Sequence, residues 1–367
     1  MTRRLQYAKE EILAEPGYAS RNRYEGRDFH GGFDAAGKYM PPRSLHRPQA
    51  IAAWTSVIAA AGEPTQVVRM SEVDRVFFPS VGQAKLLLRS GARDAMTRML
   101  TLIGVTEGFG NDGIRALPQL DPRQLYVEPM DETCVGHLWK GLFEAHGNDE
   151  AGRGEEAGHD EMWYAIRDAS LGHPTITPDM FENLPIAPPP GYSGPAKAAP
   201  QALRVSSLTS QLFPDQLDPM FEITLTALTQ ILVIELMAFS TFAWARDVLG
   251  DGRCSAAPEF AAGMIDCIQA DEAIHVAYLQ CALAETRMRT LRSTAGGTIP
   301  GNVVIDAIAR KVVAENTGGR WERMNRYRMG QIRRELEDRD DGRRILEEFA
   351  EFGPVPASES SGVNAPA

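Results

Sequence analysis

Residues 265–279 read Ile-Asp-Cys-Ile-Gln-Ala-Asp-Glu-Ala-Ile-His-Val-Ala-Tyr-Leu. Ile265, Ile268, Glu272, His275 and Leu279 recur three and four residues apart, so they share one face of a helix. A carboxylate and an imidazole therefore sit inside the apolar stripe rather than opposite it. Burying both without a partner costs several kcal/mol. Three-residue spacing lets both reach one cation, so Glu272 and His275 are candidate metal ligands.

The same spacing recurs at Glu156-Ala157-Gly158-His159, on a row that continues through Trp163 and Ile166. A third element, 223–245, is almost continuously apolar, and Glu235 is its single acid between Glu222 and Asp247. Glu235 lies on the row Leu228, Leu232, Glu235, Ala238, Phe242. The midpoint between Glu235 and residues 272–275 is about 254, where Gly250-Asp251-Gly252 predicts a turn. Adjacent antiparallel helices would bring Glu235 level with Glu272 and His275. A run this long could cross a bilayer, but a central acid disfavours lipid, and burial within protein is expected.

The remaining carboxylate is expected from a helix over 122–146, with Pro122 in its first turn and Gly147 past its end. Glu132 is the favoured ligand there, with Asp131, Glu128 and His137 as alternatives. Asn148 reads as the cap of a second helix over 149–171, although Gly152, Gly154 and Gly158 weaken its first half. Further helices are expected at 47–61, 80–104, 218–248, 255–290, 302–316 and 319–350.

The 367 residues carry a net charge of −11, with 43% hydrophobic and 24% charged residues. This is a normal globular balance. The negative sign argues against nucleic acid and against an anionic membrane surface. Cys134, Cys254, Cys267 and Cys281 show no Cys-x-x-Cys pairing, so reduced buried thiols and a cytoplasmic location are expected. Met1-Thr2-Arg3-Arg4 is followed by charged sequence, so no export signal is expected. No flavin or nicotinamide motif is visible.

The order Glu … Glu-x-x-His … Glu … Glu-x-x-His resembles the ferritin-like di-iron carboxylate superfamily, which includes the ribonucleotide reductase small subunit and p-aminobenzoate N-oxygenase. The resemblance spans about residues 120–290. It implies an all-α, ferritin-like four-helix bundle over 121–290, with a Pro-rich crossover at 173–205. An irregular N-terminal segment with short helices (1–120), C-terminal helices (291–352) and a disordered tail (353–367) would flank it. Glu132, Glu156, His159, Glu235, Glu272 and His275 would hold two metal ions.

Carboxylate-rich ligation favours iron or manganese over copper or zinc, so two irons are expected, with manganese or a mixed Mn/Fe pair as alternatives. By resemblance, Asp271 supports a metal-bound histidine from behind. Trp163 lies beside the metals as a core aromatic or a radical carrier, with Tyr164 and Tyr278 as weaker candidates. The implied activity is O₂-dependent oxidation of a small organic substrate, with no catalytic residue beyond the metal centre. Electrons would come from a ferredoxin or reductase, and homodimerisation is compatible with such bundles. A ferritin-like iron-binding or peroxidase protein, or a helical interaction protein with a degenerate site, are the alternatives.

Overall fold

Asp218 and Pro219 open a 31-residue helix, Pro219–Leu249, because the Asp218 carboxylate accepts from the Met220 and Phe221 backbone N–H groups and proline needs no donor at the first helical position. Pro258 opens its partner, Pro258–Arg287, and the two pack closely across the turn at 250–257. The computed structural model describes residues 4–115, 117–174 and 211–356. Most of the expected crossover (175–205) and most of the expected tail (357–367) lie outside the described residues.

The chain is mostly helical. Numbering only helices of two turns or more, the order is α1 (Arg47–Ala60), α2 (Val81–Arg89), α3 (Asp94–Arg115), α4 (Phe143–Ala151), α5 (His159–Leu171), α6 (Pro219–Leu249), α7 (Pro258–Arg287), α8 (Gly301–Thr317), α9 (Gly319–Glu337) and α10 (Gly342–Glu351). Helix α3 packs on α4 and α5, α5 packs on α7, and α6 packs on α7 and α8. Helix α9 lies against α3 and α8, and α10 lies against α2 and α9.

The long helices α6, α7 and α8 match their expected spans within a few residues. Other segments differ. The single helix expected at 80–104 is two, because the chain turns at Gly91, whose φ is +76°, and the second runs on to Arg115. The helix expected at 319–350 is likewise broken into α9 and α10. The helix expected at 122–146 is not continuous. Pro122 opens one turn (Pro122–Leu125), and helix resumes at Cys134–His137. A π turn (Leu138–Leu142) follows, with Gly141 at φ +128°, and leads into α4. Helix α4 then runs through Gly147 and Asn148, which end and cap nothing. The helical wall facing α5 is therefore α3, which precedes the expected start of the metal-bearing segment at 121.

The N-terminal segment is more regular than expected. β1 (Ser20–Tyr24), β2 (Arg27–Phe33) and β3 (Tyr39–Met40) form an antiparallel sheet, with a bulge between Arg21 and Asn22. β4 (Thr290–Arg292) and β5 (Thr298–Pro300) pair between α7 and α8.

Two apolar clusters divide the interior. One takes Leu225–Leu236 of α6 and Tyr278–Ala284 of α7, together with α8 and 122–143. The other takes Phe242–Leu249 of α6, Ala261–Ile268 of α7, and α2, α3 and α5. Glu235, Glu272 and His275 fall where the two meet, so the polar cluster is sealed by hydrophobic packing at both ends. Helix α6 has the length and mean hydropathy (1.7) of a membrane span, but half of its most apolar window is buried within the protein. All four cysteines are free and buried.

Candidate metal centre

Side chains from α3, α4, α5, α6 and α7 converge at this junction. Helix α4 brings His146 and Glu150 to one face by their four-residue spacing. Helix α7 does the same for Glu272 and His275. Helix α5 contributes His159 from its first turn, α6 contributes Glu235, and α3 contributes Glu107. His146, Glu150, His159, Glu272 and His275 are at most 1% exposed, and Glu235 is 6% exposed. Glu107 is half-buried.

Three groups of donor atoms emerge among the described residues: His30, His159 and Asp271, in which the carboxylate already meets both imidazoles, and two built on the converging side chains. Of the latter two, one is Glu107, Glu150, His159 and Glu272; the other is His146, Glu150, Glu235 and His275. Within each group the donor atoms lie within 4.8 Å of one another. Glu150 belongs to the latter two. His159 Nδ1 is 2.9 Å from Glu272 Oε1 and 3.4 Å from Glu150 Oε1. His275 Nδ1 is 3.2 Å from Glu150 Oε1 and 2.7 Å from Glu272 Oε2. His146 Nε2 is 3.1 Å from Glu235 Oε1 and 3.4 Å from Glu150 Oε1. Metal–ligand bonds of about 2.0–2.2 Å place two donors of one ion roughly 3–4.4 Å apart, so this spacing fits.

Four of the inward atoms are also unpaired. His146 Nε2, His159 Nδ1, Glu150 Oε1 and Glu272 Oε1 are buried without a hydrogen bond. Buried polar atoms are normally satisfied, and four unpaired atoms spread over the two groups that share Glu150 match the lone pairs that cations would take.

The outward nitrogens are satisfied. His275 Nε2 meets Asp149 Oδ2 at 2.9 Å, and His159 Nε2 meets Asp271 Oδ2 at 3.2 Å. A carboxylate there favours the Nε2–H tautomer and leaves Nδ1 free to face inward. His146 uses its ring the other way: Nδ1 lies 2.7 Å from the Tyr278 hydroxyl, and its ring stacks on that of His275 at 3.9 Å.

The electrostatics are those of carboxylates and imidazoles packed closely away from water. Burial, then Glu150 and Glu272, push the Glu107 carboxyl well above its ordinary pKa. Burial and Glu272 do the same to Glu235. Burial and Glu150 also oppose ionisation of Glu272, but His275 and His159 outweigh them and hold its pKa at about 2. Burial opposes ionisation of Glu150 too, yet His159, His146 and His275 bring its pKa well below the ordinary value. Burial lowers the pKa of His146. For His159 and His275 burial is outweighed, first by Glu272, and their pKa values rise. Four carboxylates packed this closely repel one another unless positive charge lies between them.

Of the residues expected from the sequence, His159, Glu235, Glu272 and His275 come together here, and Asp271 stands behind His159, not His275. Trp163 is fully buried, and its indole N–H donates to Glu107 at 3.2 Å while its ring stacks on Phe242.

Glu156 and Glu132 do not take part. Gly152 and Gly154 have φ of +75° and +64°, which ends α4, and 153–157 form a loop. Ala157 there hydrogen-bonds β2 through Asp28 and His30. Glu156 is carried outward to an ion pair with Arg21 at 2.6 Å, and Glu150 takes the place expected for it. Glu132 is exposed. None of its alternatives reaches the site either. Asp131 is exposed near Lys140, Glu128 accepts from the Thr290 backbone, and His137 is held by Thr133 and Tyr7.

The residues the sequence reading missed are Glu107, His146 and Glu150. Glu107 carried the same signal as Glu235, being the only acid between Asp94 and Asp112. His146-Gly-Asn-Asp-Glu150 carried a helical ligand spacing that was masked by reading Gly147 as a helix end. Comparison with known protein families, characterised proteins and solved structures finds no match to this chain.

Proposed function

We propose that α3, α4 with α5, α6 and α7 form a ferritin-like four-helix bundle around two metal ions, and that the protein is an O₂-dependent oxidoreductase of the di-iron carboxylate type acting on a small organic substrate. The observation that carries this reading is the convergence of seven donor side chains, Glu107, His146, Glu150, His159, Glu235, Glu272 and His275, of which His146, Glu150, His159 and Glu272 each leave an inward atom without a hydrogen bond. One ion would be held by Glu107, Glu150, His159 and Glu272, the other by His146, Glu150, Glu235 and His275. Four carboxylates and three imidazoles suit iron, with manganese as the alternative.

Two Fe(II) ions held there would supply electrons for reduction of O₂. The chain's own part is positional. Asp149 and Asp271 fix the two Nδ1 donors, Tyr278 fixes His146, and the two apolar clusters keep bulk water out. Glu107 and Glu235 are held protonated by burial and their neighbours, so metal binding releases protons from them. Turnover would draw on an external electron donor such as a ferredoxin or reductase.

Anaerobic titration with Fe(II), followed by metal analysis, tests the reading. About two ions per chain and their loss in Glu272→Ala are expected. Admission of O₂ should then produce a new near-ultraviolet or visible absorbance, which separates oxygen chemistry from simple iron binding. Undiminished metal in Glu272→Ala would sink the proposal.

A further inference from the structure

The two carboxylates behind the centre are both held by one stretch outside the helices that carry the metal-facing residues. Asp271 Oδ2 lies 3.0 Å from His30 Nε2 and accepts from the Tyr39 hydroxyl at 3.0 Å. Asp149 accepts from Arg43 Nε at 2.7 Å and from Arg47 Nη2 at 2.8 Å. His30, Tyr39, Arg43 and Arg47 follow one another along β2, β3 and the start of α1.

Three features show that this is more than core filling. Arg43 and Arg47 are 1% and 0% exposed, and two guanidiniums buried against one carboxylate is an expensive placement unless the geometry is used. Arg43 also has φ +50°, a backbone region that residues with a side chain seldom adopt. Finally, Gly31 has φ +69°, and a Cβ there would collide with the Tyr39 hydroxyl. Glycine at that position leaves Tyr39 room to reach Asp271.

Resting on the di-metal reading above, we propose that residues 30–47 are a positioning strap for the centre. His30 and Tyr39 orient Asp271, which sets the His159 ring; Arg43 and Arg47 orient Asp149, which sets the His275 ring. Each arm thereby governs one of the two metal positions. The four are positioning residues, because they act on the metal-facing histidines only through Asp149 and Asp271. The arms differ in chemistry. Arg43 and Arg47 grip both oxygens of Asp149 and fix its plane as a guanidinium fork does. The other arm places two contacts on one oxygen of Asp271, the same oxygen that meets His159 Nε2.

Anaerobic Co(II) titration of the full-length chain tests the strap, because each ion's absorption bands report its own ligand geometry. The parent is expected to bind two Co(II). Tyr39→Phe, which removes one hydroxyl, should keep the parent's circular dichroism yet weaken one Co(II) by about 10- to 100-fold and shift its bands. Arg47→Lys should do the same to the other ion. Both variants binding two Co(II) with the parent's affinities and spectrum would overturn the strap alone. If Arg47→Lys does not fold, Tyr39→Phe decides by the same criteria. A parent that binds no Co(II) would overturn the di-metal reading, and the strap with it.

Discussion

Glu150 Oε1 lies 3.4 Å from His159 Nδ1, although a break in the helical backbone separates the two residues. The same oxygen is 3.2 Å from His275 Nδ1 and 3.4 Å from His146 Nε2. One carboxylate oxygen therefore faces all three imidazoles of the site. On the proposed di-metal reading Glu150 would serve both ions, and this gives the first prediction. Glu150→Gln should lose metal from both positions, leaving well under one ion per chain by elemental analysis. Glu156→Gln should keep about two, because Glu156 faces Arg21 instead. The reverse ranking would mean that the local Glu-x-x-His spacing, and not the folded geometry, identifies the ligand.

Glu235 tests the coupling between metal and stability. Burial and Glu272 keep this carboxyl protonated when no cation is present, so Glu235→Gln changes little in the metal-free protein. Its melting temperature should stay within about 2 °C of the parent. The parent should gain stability on metal binding by mass action, about 2.7 kcal/mol at a hundredfold excess over Kd. For a chain of 367 residues that is roughly 3–4 °C, reversed by a chelator. The gain should be much smaller in Glu235→Gln. Scanning calorimetry with and without metal measures both, and an equal gain in the two proteins would contradict the assignment of Glu235 as a ligand.

Glu285 lies away from the site, near the end of α7, and it is 3% exposed. Burial raises its pKa to about 7, against the opposing backbone N–H groups of Val135 and Cys134. An unfolded glutamate titrates near 4.3. Between these values the folded chain holds a proton that the unfolded chain has released, so this residue's contribution falls as pH rises through that window. At about 1.4 kcal/mol per pH unit the loss approaches roughly 4 kcal/mol by pH 8. Glu285→Gln should remove it. Urea midpoints at pH 5 and pH 8 give the comparison, and an identical pH slope in parent and variant would rule the effect out.

How far these features were legible in the sequence depended on whether their cause was local. Helices α6 and α7, and the buried meeting of Glu235, Glu272 and His275, follow from a cap, an apolar stripe and an acid within that stripe. Each of those signals lies within a few turns of the residue it identifies. Glu107 was equally legible by the lone-acid criterion, but its helix runs further than its propensities suggest. Glu150 was not legible as the partner of His159. The loop that separates them is held by β2, far away in sequence, through the bonds of Ala157 to Asp28 and His30. No local period encodes that contact, and Glu156-Ala157-Gly158-His159 imitates a helical motif where the chain is not helical. The buried pair Arg43 and Arg47 was hidden likewise, because only the tertiary fold supplies Asp149.

The loop itself makes the last prediction. Gly152 has φ +75° and ψ 176°, a region essentially reserved for glycine, and a Cβ there would meet the Glu156 carbonyl and the Gly158 backbone. Gly154 has φ +64°, but its added Cβ would meet nothing within 4 Å. Gly154→Ala should therefore cost about 1 kcal/mol, the left-handed penalty alone. Gly152→Ala should cost roughly 2–4 kcal/mol. It should also displace His159, because the loop leads directly into its helix. Metal should then fall towards one ion per chain, since His146, Glu235 and His275 stand on elements the loop does not carry. Denaturant unfolding and metal analysis of the two variants decide this. Equal losses of stability would show that the close approach at Gly152 does not hold the loop, and two retained ions would show that the loop does not place His159.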